Sequence, residues 1–290
     1  MILDGASSFN IVAVTACLKR CSVAVAYDGE LLEINEHIDA PKNLVFLTAQ
    51  LIKSKGIDLR RINGVITVSG PGSFTGIRTA QSLVKGIAIS MKIPFTCVSY
   101  FDVIQDIYWN RKKSAAWNLE SADYCIAQNR DTSRNIFSEK LRPAQISGPG
   151  NLLLIVIRGN GGRVFYSLRK FCKNRCSASD VPNLGEGNHD DYLEIKSGIS
   201  TPETTIDLLK SVVDDEWNNC STIKVKGNIP DVINIVGDIS STLANQAADL
   251  LSSRLHLLPL SPDDFMKARH LTLMQRRIAG SSSMYPLYLH

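Results

Sequence analysis

Glycine, serine and threonine crowd one short stretch, Gly70-Pro71-Gly72-Ser73-Phe74-Thr75-Gly76-Ile77-Arg78, and those residue types at that spacing could do chemistry. A glycine-rich turn that opens a helix presents free backbone N–H groups, so it can hold a phosphate or admit another chain at close range. A phosphate loop needs Lys-Ser or Lys-Thr after its last glycine, and neither follows here. A nucleophile elbow needs Gly-x-Ser-x-Gly, whereas Gly70 and Ser73 are spaced Gly-x-x-Ser. Capping of the next helix by Ser73 or Thr75, worth ~1 kcal/mol, accounts for both hydroxyls. No catalytic residue is assigned. The histidines, His37, His189, His256, His270 and His290, are scattered without a His-x3-His pair. The seven cysteines offer only Cys17-x3-Cys21 and Cys172-x3-Cys176 as close pairs, not the two-residue spacing common in zinc sites. They read as reduced, mostly buried thiols, and no metal is expected.

The elements that must position this stretch follow from periodicity. Val65, Ile66 and Val68 form a buried strand, and Ser73 to Met91 a helix whose stripe of Ile77, Ala80, Val84, Ile87, Ala88 and Met91 faces a sheet. Its other side carries the small residues Thr79, Ser82, Gly86 and Ser90. A mid-helix glycine costs ~1 kcal/mol against alanine, so that side is expected to admit another helix closely. Three strands in hairpin order precede this unit (Asn10 to Thr15, Cys21 to Tyr27, Glu30 to Glu36), with a turn at Asp28-Gly29. A helix over Lys42 to Lys55 and a strand over Phe95 to Ser99 complete it. The order repeats in Leu152 to Ile157, Arg163 to Leu168, Leu193 to Lys196, Glu203 to Val213, Ile233 to Gly237, Ser241 to Leu251 and Arg254 to Leu258. A last helix begins at Ser261-Pro262 and ends by Gly280.

Two successive βββαβαβ units predict an α/β protein of two RNase H-like domains, the plan of actin, hexokinase and the heat-shock ATPases. The expected division is 9–109, an irregular insertion at 110–150, a second domain at 151–260, and a C-terminal helix and tail at 261–290 that packs back on the first unit. Arg169, Lys170, Lys173 and Arg175 read as a solvated basic edge. A chain of 290 residues, 44% hydrophobic with net charge +4, is an ordinary globular protein and not a stand-alone nucleic-acid binder. No apolar run approaches the ~18 residues of a membrane span, and no signal peptide is visible in Met1 to Asn10, so a cytoplasmic location is expected.

Val68 to Arg78, followed by Lys85-Gly86-Ile87-Ala88 and Pro94 to Ser99, resembles the signature of the TsaB family, the non-catalytic dimerisation subunit of the bacterial tRNA threonylcarbamoyladenosine machinery. The resemblance extends over Ile11 to Tyr27, Ile155 to Tyr166, Val236-Gly237-Asp238 and Pro286 to Leu289. It implies a subunit that binds and stabilises the catalytic TsaD-type paralogue, with a TsaE-type ATPase near the same interface and tRNA reached only through the complex. ATP and metal are expected in those partners, with no cofactor in this chain and no membrane contact. The implied partner-binding residues are Leu44, Phe46, Leu47, Leu51, Gly76, Thr79, Ser82, Gly86 and Ser90, beside the motif loop Gly70, Pro71, Gly72, Ser73, Phe74, Thr75, Gly76 and Arg78. A homodimer on the same face is an alternative.

Departures from the family pattern sharpen this expectation. Where such chains read Asp-Thr-Ser after the first strand, this one has Thr15, Ala16 and Cys17. Arg158 occupies the matching place of the second unit, and Asp238 is left as a strand-end turn residue. By alignment, Tyr100 and Ile104 stand where the catalytic paralogue carries its metal-binding histidines, and Ala40 where TsaB chains commonly carry one. The competing expectation, a nucleotide-dependent phosphotransferase or glycoprotease-like enzyme of the same fold, needs those lost carboxylates.

Overall fold

A computed structural model describes residues 10–17, 20–36, 43–113, 152–172, 191–211, 233–251, 255–260, 267–272 and 274. Ala40, His37, His189, His290, the stretch 114–150, Lys173, Arg175, Ser261, Pro262, Gly280 and the tail lie outside the described residues. The described residues fall into two compact units, one holding residues 10–103 and 267–274, the other 104–260.

In the first unit, runs of Val, Ile and Ala favour extended chain, giving β1 (Ile11–Cys17), β2 (Arg20–Tyr27) and β3 (Glu30–Glu36) as an antiparallel meander. Asp28 and Gly29 both take positive φ, 49° and 82°, as the two-residue hairpin turn requires. Helix α1 (Leu44–Ser54) leads to β4 (Gly64–Gly70), which lies parallel to β1. Helix α2 (Phe74–Met91) then crosses to β5 (Phe95–Ser99), parallel to β4. The strand order is β3-β2-β1-β4-β5.

Helix α3 (Tyr100–Lys113) follows directly, an element absent from the sequence reading. Tyr, Phe, Val and Ile are indifferent helix formers. Burial overrides that preference, since Tyr100, Phe101, Val103, Ile104 and Tyr108 are all at most 1% exposed, and Ser99 Oγ accepts the Phe101 N–H at 3.1 Å as a cap. The division between the two compact units falls inside this helix, after Val103.

The second unit repeats the plan with β6 (Leu152–Arg158), β7 (Val164–Cys172), β8 (Asp191–Ser200), α4 (residues 202–211), β9 (Ile233–Gly237), α5 (Ser241–Leu251) and β10 (Leu255–Pro259). Its order, β8-β7-β6-β9-β10, reproduces the first sheet position for position. Helices α4 and α5 bury Ile206, Leu209, Leu243 and Ala247 on Leu152, Leu154, Val156 and Ile235. Arg169 is not the solvated residue its neighbours suggested. Strand alternation turns it inward, where it is 6% exposed and donates to Ser167 Oγ at 3.0 Å and to Gln105 Oε1 of α3 at 2.5 Å.

A short helix α6 (Ala268–Thr272) completes the first unit. Its first N–H groups are held by the sheet: Ala268 N–H donates to Ser22 Oγ at 2.8 Å and Arg269 N–H to Glu33 Oε1 at 3.3 Å. On β5, burial pushes the Cys97 thiol up to about 11. The thiolate nucleophile is therefore scarce at neutral pH. In native protein at pH 8, Cys97 should react with iodoacetamide at least about tenfold more slowly than in urea-unfolded chain, read by peptide mass spectrometry. The stability tied to this protonated thiol is present below its ordinary value of 9.0 and is lost as pH climbs toward 11.

Candidate partner-docking face

Helix α2 is fixed at its start by the glycine-rich turn. Ser73, in extended conformation, caps the helix by accepting the Gly76 N–H at 3.3 Å, so the serine is a cap. Gly76 itself is buried, and a Cβ there would stand 1.9 Å from the Ala16 carbonyl oxygen of β1. It lets the helix rest on the strand and is not open to a partner, which corrects its place in the expected docking set. Gly70 takes a φ of 123° at the end of β4, as the turn demands.

The sheet-facing side of the two helices forms one core. Leu44, Leu47 and Leu51 of α1 are at most 1% exposed and pack with Val12, Val14, Val23, Val25, Ala80, Val84 and Ala88. Their places in the expected partner set are likewise corrected, because that stripe holds α1 to its own sheet.

The opposite side is open. Val45 and Phe46 of α1 are 60% and 67% exposed, Phe74 and Ile89 of α2 51% and 65%. Ser82, Gly86 and Ser90 are exposed and Thr79 is half-exposed, so these four lie where helix periodicity put them. A Cβ built on Gly86 meets nothing within 4 Å. Between the helices runs an open groove of about 570 Å³ lined by Val45, Phe74, Thr75, Arg78, Thr79, Ser82 and Leu83. The Arg78 guanidinium lies 3.7 Å over the centre of the Phe74 ring, a cation–π contact that holds both side chains in place. Ile89 escaped the sequence reading, although it lies on the same helical stripe as Ser82 and its exposure could have been inferred from that spacing.

The strand ends where this fold would bind a metal–nucleotide are closed by internal pairs. At the end of β1, the Thr15 hydroxyl hydrogen-bonds the Tyr100 hydroxyl, and both residues are 1% exposed. At the end of β6, Arg158 Nη2 donates to Asp238 Oδ1 at 2.5 Å, the carboxylate side chain being 13% exposed. Asp238 thus does more than end a strand, since it pairs with the arginine at the end of β6. A buried hydroxyl pair and a guanidinium-bound carboxylate do not fit the hard, anionic oxygen set that magnesium and a polyphosphate require.

Two sheets of order 3-2-1-4-5, each with helices after its third and fourth strands, make this a duplicated RNase H-like protein of the actin, hexokinase and heat-shock ATPase class. Solved structures agree on the fold. YeaZ from Pseudomonas aeruginosa, and a protein from the same organism described by its similarity to peptidase YeaZ, match at TM-scores of 0.50 and 0.51. Both are 15% identical and cover 97% of this chain and 100% of their own. The TsaD family profile, described as tRNA N6-adenosine threonylcarbamoyltransferase, matches residues 39–110, the stretch holding α1 and α2. The tRNA threonylcarbamoyladenosine biosynthesis protein TsaB of Haemophilus influenzae is 25% identical over 122 residues, 41% of this chain and 48% of that protein. Its namesake in Escherichia coli K12 is 28% identical over 119 residues, 39% of this chain and 50% of that protein. This chain therefore spans about half the length of the curated relatives it matches. Over about two fifths of its length the chain is thus similar to TsaB proteins.

Proposed function

We propose that this chain is a non-catalytic subunit of the machinery that makes N6-threonylcarbamoyladenosine at position 37 of tRNA, binding and stabilising the TsaD-type catalytic paralogue through the outer face of α1 and α2. The observation that carries this reading is the exposure of Val45, Phe46, Phe74 and Ile89, the first and third of them lining an open groove, on an amphipathic helix pair whose inner face already has its core. Large apolar side chains gathered on one face mark interaction sites. The face lies inside the stretch that matches the TsaD profile, and a homologue that shares the helix pair can dock pseudo-symmetrically on it. The curated relatives, named for this biosynthesis, support involvement in the same process. Bond chemistry, ATP and metal then belong to the TsaD-type and TsaE-type partners, and tRNA is met through the assembly in the cytoplasm.

Co-purification tests it. Tagged wild-type chain should retain the TsaD-type protein of the same cell, and Gly86→Arg should lose at least about tenfold of it, because an arginine in an open spot blocks close helix approach without disturbing the fold. Equal recovery on both chains sinks the proposed face. The enzyme alternative predicts micromolar Mg-ATP binding with turnover by the isolated chain in calorimetry. The paired Thr15–Tyr100 and Arg158–Asp238 strand ends argue for no such heat.

A further inference from the structure

The first sheet is buried on both of its faces, and distant parts of the chain cover them. Alternation along β1, β2 and β4 sends Val12, Val23 and Val65 into the core beneath α1 and α2, and turns Ile11, Ala13, Ala24 and Ile66 to the back. The back is just as dry, for those four residues are all 0% exposed. Helix α6 lies across β1, β2, β3 and β4. Its bond from the Ala268 N–H to Ser22 Oγ puts it on the back, since Ser22 alternates with the core residues Cys21 and Val23. Ala268, Leu271, Thr272 and Met274 are at most 4% exposed, and the small Ala13 and Ala24 leave room for a close approach.

Five residues cannot hold a helix alone, because nucleation costs more than one turn returns. The sheet supplies what α6 lacks. Ser22 Oγ accepts the Ala268 N–H at 2.8 Å, and Glu33 Oε1 accepts both the Arg269 N–H and the Ser22 hydroxyl at 3.3 Å. Arg269 Nε lies 3.8 Å from Glu33 Oε2. Dependence runs both ways, since departure of α6 would wet the apolar back of β1 and β2. Ala268 and Ser22 are 246 residues apart, so their contact closes a long loop through a single-turn element. Such an element belongs at the low-stability end of a fold. The second unit, by contrast, draws β6 to β10 with α4 and α5 from residues 152–260.

We propose that α6 is a strap that makes the first unit conditional. Seated, it seals the back of the first sheet and steadies the platform on which α1 and α2 rest; released, it lets that unit open while the second stands. The inference goes beyond the docking reading and does not depend on it. The helices that form the outer face are thus held, through the sheet, by a segment on its far side.

Amide hydrogen exchange of the whole chain, read by peptide mass spectrometry, tests it. Leu271→Ala should speed exchange in β1, β2, α1 and α2 at least about tenfold and leave β6 and β9 within about twofold of wild type. Ser22→Ala sets one more alanine beside Ala24 and removes the acceptor of the Ala268 N–H. It is the second variant should Leu271→Ala fail to fold, with at least about threefold expected in the same segments. Equal acceleration in both units would show one cooperative whole and overturn the strap. Acceleration confined to α6, or none in β1 and β2, would show that the first sheet stands without it and overturn the strap as well. None of these readings involves a partner, so failure here leaves the docking face untouched.

Discussion

Replacing Gly76 by alanine is expected to lower the stability of the chain by roughly 2–3 kcal/mol, against a helix-propensity gain of ~1 kcal/mol that would act alone at an open position. The two effects have opposite signs, and the geometry decides between them. The new Cβ would stand 1.9 Å from a backbone oxygen, that of Ala16, which belongs to a central strand paired on both sides. A flexible side chain could move away. A central strand cannot without breaking its ladder, so α2 must lift and give up part of the burial of Ile77, Ala80 and Val84. Gly237 repeats the device in the second unit, with φ of 122° and a built Cβ 2.0 Å from the Val156 carbonyl oxygen, and Gly237→Ala should be equally damaging. Gly86→Ala, with nothing within 4 Å, is the control and should gain ~1 kcal/mol. Urea unfolding of the three variants measures this. A stabilised Gly76→Ala chain would mean that α2 does not rest on β1 as described.

The signature stretch therefore divides into parts with different physical roles. Gly70 turns the chain, Ser73 caps, and Gly76 permits contact with the sheet, while Phe74, Thr75 and Arg78 line the groove. Sequence alone exposes the turn and cap chemistry, because those are local. It does not separate a glycine needed for internal packing from one that admits another molecule. Gly76 and Gly86 look alike in the sequence and differ only in whether a strand lies beside them. The same limit explains Leu44, Leu47 and Leu51. Periodicity places them on one stripe of α1, but which stripe meets the sheet depends on the register of α1 against β1 and β2, a tertiary fact.

Duplication was legible because the central strands are short, apolar and bounded by turn residues, and Asp28-Gly29 and Gly237 mark their places by backbone need. Helix α3 was illegible because its aromatic and β-branched residues are weak helix formers whose conformation is settled by burial. Arg169 was misplaced for a related reason. A cation beside Lys170 suggests solvent, and only strand alternation combined with a facing Gln105 shows that it points inward. Thr15 and Arg158 were legible as departures from the resembled pattern, but the residues that pair with them were not. Tyr100 follows Thr15 by 85 residues and Asp238 follows Arg158 by 80, and only the fold closes those distances.

Two adjacent residues of α1 provide the sharpest separation of packing from docking. Leu47, fully buried, should cost about 2–5 kcal/mol of stability when cut to alanine, since the cavity opens between α1 and the sheet core. Phe46, 67% exposed, should change stability by no more than about 0.5 kcal/mol as Phe46→Ala, because the ring covers little of its own chain. In binding the order reverses. A large aromatic side chain exposed on a helix-pair face has the character of an interface hot spot, where truncation costs about 2 kcal/mol or more, or roughly thirtyfold in affinity. Phe46→Ala should therefore retain its urea midpoint and lose the TsaD-type protein in a titration, a combination that a merely structural role cannot produce. Leu47→Ala should lose stability while its still-folded fraction, measured well below the midpoint, keeps close to native affinity. Full affinity in Phe46→Ala would remove the outer face of α1 from the docking site, and a stability loss as large as that of Leu47→Ala would show that the ring is covered by this chain itself.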